Sequence, residues 1–83
     1  MNRRLPRSLR FYLLRYDTKR GELLDIEEFE DRRRALDARF ALQRAERERP
    51  HIEVVVLGAS SRETLTKTHS RYFKTLGELA API

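Results

Sequence analysis

The chain has 83 residues, of which 40% are hydrophobic, 37% charged and 8% aromatic. That length holds one small core and no second domain, and the apolar content is too high for a disordered chain. Cysteine is absent, which excludes disulfides, thiolate metal ligands and a cysteine nucleophile. Two histidines, His51 and His69, offer little for a metal site, so neither a metal nor a cofactor is expected. No apolar run approaches the ~18 residues of a membrane span. With no signal-peptide pattern at the start, a cytoplasmic protein making no membrane contact is expected.

The formal charge of +5 is placed unevenly. Arg3, Arg4, Arg7, Arg10 and Arg15 fall within residues 1–15, which hold no acid. The other 13 bases balance 13 acids over residues 16–83. Arginine outnumbers lysine 15 to 3, and guanidinium groups suit bidentate recognition of phosphate or carboxylate.

Residues 1–8 (MNRRLPRS) read as a flexible basic arm interrupted by Pro6. Residues 9–16 (LRFYLLRY) read as a strand, with Leu9, Phe11 and Leu13 on one face and Arg10, Tyr12, Leu14 and Tyr16 on the other. Asp17 to Gly21 form a hairpin turn: Asp17 bonds the backbone ahead of it, and Gly21 takes a left-handed position. The return strand spans Glu22 to about Ile26.

A helix is expected from Glu30 or Asp31 to Glu48, with Asp31 as N-cap and Pro50 barring continuation. It carries two apolar faces. Ala35, Ala38, Leu42 and Ala45 make a small-residue stripe suited to a sheet, while Leu36 and Phe40 lie on another side and need a different cover. Arg32, Arg33 and Arg34 oppose the helix dipole, and the acids just before them can offset the repulsion.

His51 to Leu57 is the clearest strand, apolar on both faces toward its end as a central strand is. Ser60 to Glu63 read as a capping box with Ser60 as N-cap, opening a second helix from Ser61 to about Thr75. Its stripe is Leu65, His69, Tyr72 and Leu76, and Gly77 stops it.

These elements predict a two-layer α/β (α+β) domain over residues 9–76, in the order β-β-α-β-α. The arm (1–8) precedes it and a tail (77–83) follows. The expected sheet is three-stranded, in order 2-1-3, with both helices on one face. The other face then lacks cover, which points to a homodimer through Leu36 and Phe40 or through Tyr12, Leu14 and Tyr16.

No phosphate loop, metal-spaced cluster or nucleophile elbow is present. The expected function is therefore a non-enzymatic protein-interaction or regulatory module, self-associating or capturing a protein partner through apolar faces. The alternative is nucleic-acid binding through Arg3, Arg4, Arg7, Arg10, Arg15, Lys19 and Arg20. A third reading places a small hydrolase or isomerase around His69.

Overall fold

The computed structural model describes residues 9–73, so the expected arm (1–8) and tail (77–83) lie outside the described residues. The elements are β1 (Arg10–Asp17), β2 (Glu22–Phe29), α1 (Arg32–Ala45), β3 (Ile52–Ala59), α2 (Arg62–Thr68) and a 3-10 turn over Ser70–Phe73. The three strands form one sheet in the order β2-β1-β3, with β1 antiparallel to both neighbours. The order of elements and the sheet order are those the sequence predicts.

The hairpin forms as its residues dictate. Asp17 Oδ1 accepts from the backbone N–H groups of Lys19 and Arg20, and the Gly21 N–H donates to the Asp17 carbonyl. Gly21 sits at φ 65°, where a side chain is strained. Strand β2 runs to Phe29 rather than Ile26, because Phe29, Glu28 and Glu27 continue the pairing with Phe11, Tyr12 and Leu13. Its register slips between Asp25 and Leu23, a β-bulge that leaves Leu24 without a counterpart on β1. Strict alternation would put Leu23 and Ile26 on opposite faces; with the bulge both pack on the Tyr12–Leu14–Tyr16 cluster.

The two helices lie on opposite faces of the sheet, not on one. Leu13, Ile52 and Val54 form a cluster covered by Ala38 and Leu42 of α1. Tyr12, Leu14 and Tyr16 form the other cluster with Leu65 of α2 and with Tyr72. The reason is the two-sided apolar character of β1. Leu13 needs cover on one face and Leu14 on the other, and helices stacked on a single face would leave one set in water. Leu14 and Leu65 are fully buried in this one cluster, and truncating either to Ala is expected to cost about 2–5 kcal/mol.

Both helices end earlier than expected. Helix α1 stops at Ala45, with Glu46 as its cap, and the Glu46 side chain turns under the helix. Helix α2 stops at Thr68, and His69 is its C-cap rather than part of a continuous stripe. Its three β-branched threonines explain the short run: Thr66 and Thr68 donate to the carbonyls of Arg62 and Thr64, a local alternative to helix propagation. The N-cap is Ser61, one residue after Ser60, and its hydroxyl accepts from the Thr64 N–H. Glu63 therefore does not close a capping box but faces Lys67 across one helical turn. The expected stretch 74–76 of this helix lies outside the described residues.

Candidate functional site

The first-strand cations are engaged by carboxylates. Arg15 projects beneath α1, where its Nε and Nη2 donate to Asp25 on β2 and its Nη1 donates to Glu46 Oε2 at 2.6 Å. Arg49 closes the chain with its Nη2 2.7 Å from Glu46 Oε1. The alternation of β1 sends Arg15 to the Leu13 face, and the end of α1 delivers Glu46 to the same place. The Glu46 side chain is only 6% exposed, so each of its oxygens has a guanidinium partner where water is scarce. The Arg15 hydrogen bond holds the Glu46 carboxyl below its usual range, with Arg49 adding to it and burial opposing. Asp25 and then Glu46 push Arg15 above the ordinary guanidinium range.

Arg10 pairs with Glu28 at 3.3 Å and Glu30 at 3.2 Å. Arg20 lies 3.4 Å from Glu22 at the exposed hairpin tip, and Lys19 beside it has no carboxylate partner among the described residues. Arg3, Arg4 and Arg7 lie outside the described residues. The structure thus spreads Arg10, Arg15, Lys19 and Arg20 along one hairpin and does not gather them into a shared patch.

Of the five candidate interface residues, Tyr12, Leu14 and Tyr16 are core. Each is at most 4% exposed, because α2 and the 3-10 turn cover the face that the sequence predicts to be open. Tyr72 meets Tyr16 edge to face at 5.2 Å, its hydroxyl donates to Glu53 Oε2 at 3.2 Å, and the Arg71 guanidinium lies 4.5 Å from its ring centre. Burial first, and Glu53 next, raise the Tyr72 phenol above its usual value. This cluster pins the end of the described chain to the sheet. Sequence reasoning missed it because a regular helix would place Tyr72 differently.

Leu36 and Phe40 remain available. Phe40 is 57% exposed and Leu36 half-buried. Their direction follows from the other flank of α1. An open groove between α1 and β2 is lined by Ala38 and Ala41 on one side and by Asp25, Ile26 and Glu27 on the other. At about 100° per residue, Leu36 falls roughly 100–120° from the sheet-facing Ala35 and Leu42, on the flank opposite Ala41, and Phe40 falls roughly 140–160° from them, facing away from the sheet.

The sheet also has an open strand edge. Among the described residues β3 pairs only with β1. The Thr18 N–H donates to the His51 carbonyl, and the register runs on through Tyr16↔Glu53, Leu14↔Val55 and Tyr12↔Leu57. In an antiparallel ladder the hydrogen-bonded pairs alternate, so these odd-numbered residues bond to β1 and the even-numbered ones point their backbone groups outward. The Ile52 N–H is taken by the Arg49 carbonyl. Val54, Val56 and Gly58 are left with outward N–H and C=O groups. The strand reads IEVVVLGA, with Glu53 its one charge and neither proline nor lysine, the devices that usually protect an edge. The opposite edge, β2, carries Glu22, Asp25, Glu27 and Glu28.

His69 closes α2 with its Nδ1 3.0 Å from Thr68 Oγ1, and no carboxylate pairs with it among the described residues. The described residues contain no group of three His, Cys, Asp or Glu side chains placed to hold a metal ion. No described helix is long and apolar enough to cross a membrane. No family model, curated protein or solved structure matches the chain.

Proposed function

We propose that the protein is a non-enzymatic interaction module that works by self-association. The observation that carries this reading is the presence of two apolar surfaces with no partner among the described residues, the edge of β3 and the exposed Phe40 of α1. An edge with free backbone donors and acceptors is a template for another strand, and an exposed aromatic is apolar area open to a partner. The β2 edge carries four charged side chains, three of them ion-paired with Arg10, Arg15 and Arg20, a polar edge that resists strand pairing and leaves β3 as the edge for assembly.

Sedimentation velocity tests the reading. The unmodified chain is expected to sediment as a dimer at tens of micromolar. Phe40→Asp is expected to weaken association about tenfold or more, a change of roughly 1.4 kcal/mol, with the thermal midpoint held. A monomer throughout this range contradicts the reading, as does a Phe40→Asp variant that simply unfolds.

Nucleic-acid binding is the second reading, supported by the exposed Lys19 and Arg20 at the hairpin tip and by the charge of residues 1–15. It predicts salt-dependent binding to duplex or single-stranded oligonucleotides that weakens when residues 1–8 are deleted. Binding indifferent to salt or to that deletion removes it.

A further inference from the structure

We propose that the β3 edge takes a second copy of this chain, docked antiparallel with Val56 of each copy at a two-fold axis, which joins two sheets into one of six strands in the order 2-1-3-3-1-2. This rests on the self-association reading and adds the pairing itself.

The register follows from four constraints. First, a two-fold axis normal to the sheet keeps each face on its own side, so residues opposite each other must share a face. Only registers that pair odd with odd and even with even survive. Second, the outward groups are those of Val54, Val56 and Gly58. A Val56-centred register pairs Val56 with itself and Val54 with Gly58 in both directions, so all three residues are satisfied in each copy. Third, a Val55-centred register brings Gly58 of the second copy against Ile52, whose outer side is already occupied by the Arg49 carbonyl. A Val54-centred register needs that same N–H. With Val56 at the centre, the incoming strand ends at Ala59 before it reaches Ile52. Fourth, charge agrees. Glu53 falls opposite Ala59 of the second copy, with Arg62 the next charged residue beyond it, whereas the Val55-centred register sets Glu53 against Leu57.

The side-chain pairs across the seam are then apolar on both faces. Val55 meets Leu57 on the α2 face, and Val56 meets Val56 on the α1 face. Strand pairing alone buries little beside the roughly 800 Å² per partner of a stable interface. Leu36, half-buried on the flank of α1 opposite the β2 groove, is the α1 side chain placed to add to that area from each copy.

The chain has no cysteine, so single-cysteine variants report pairing cleanly. Val55 and Leu57 of opposite copies form non-hydrogen-bonded pairs, where Cα atoms lie about 4.5 Å apart, within disulfide range. Val55→Cys and Leu57→Cys variants, mixed and oxidised, are expected to give the mixed disulfide as the main product, with Val55→Cys alone largely unlinked. Efficient linking of Val55→Cys to itself overturns the register in favour of a Val55-centred one. Absence of any link in a sample that sediments as a dimer overturns the β3 seam while leaving self-association standing. A monomeric wild-type chain overturns the parent reading instead. In unmodified protein, an isotope-filtered NOE between Val55 of one copy and Leu57 of the other reads the same pairing. Its absence in a dimer counts against the seam even if a cysteine variant misfolds.

Discussion

At the scale of single residues, the hairpin tip and the ion-paired arginine show what local sequence can and cannot reveal. Asp17 and Gly21 act within five positions, so their roles are legible from spacing alone. Gly21→Ala is expected to cost about 1–2 kcal/mol, read as a lower midpoint in urea, because only glycine takes its left-handed conformation without penalty. Arg15 is different. Its partner Glu46 is 31 positions away, and nothing before folding indicates that α1 will end above β1. A guanidinium that suggests an external anion is therefore filled from within.

The carboxylates set the acid limit of the fold. Glu46 is held low chiefly by Arg15, and Asp17 chiefly by the Arg20 N–H. A carboxyl whose folded pKa is depressed contributes stability in full above its unfolded pKa and loses it as pH falls toward the folded value. Thermal midpoints are thus expected to be level from neutrality to about pH 5 and to fall below that, with Glu46→Gln flattening the acid limb. A midpoint constant down to pH 3 would contradict this assignment. On the alkaline side the raised phenols of Tyr12 and Tyr72, shifted mainly by burial, favour the unfolded chain once the pH exceeds about 10.

At the scale of elements, periodicity reads well where a helix is long and poorly where it is short. The stripe of Ala35, Ala38 and Leu42 does meet the sheet, and Ala35 is fully buried. Its last expected member, Ala45, is exposed because the helix ends there and the Glu46 side chain is buried instead. Ala35→Leu is expected to overpack this contact by about 1–3 kcal/mol, measurable by denaturant titration. In α2 the start is misplaced by one serine, since Ser60 and Ser61 carry the same side chain and only backbone direction separates them. Ser61→Ala is expected to lose about 1 kcal/mol and Ser60→Ala only a few tenths. Equal losses would return the cap to Ser60.

At the scale of the whole molecule, element order and the 2-1-3 sheet follow from chain connectivity, and both are legible. The side each helix takes is not, because β1 is apolar on both faces and a single strand does not say which helix will cover which. Placing α1 and α2 on opposite faces moves the uncovered apolar surface from a sheet face to a sheet edge. Tyr12, Leu14 and Tyr16 are thereby core rather than interface, while Phe40 stays exposed and Leu36 half-buried. The hydrophobic β3 strand reads as central from its composition and is an edge among the described residues; in the proposed dimer it would become central.

Residue-resolved amide exchange across a dilution series tests this most directly. In the dimer the N–H groups of Val54, Val56 and Gly58 are expected to be protected along with those of Val55 and Leu57. On dilution the even-numbered set is expected to lose protection while the odd-numbered set, bonded to β1, keeps it. Protection of Val54, Val56 and Gly58 that is absent at high concentration, or that does not change with concentration, would contradict the account.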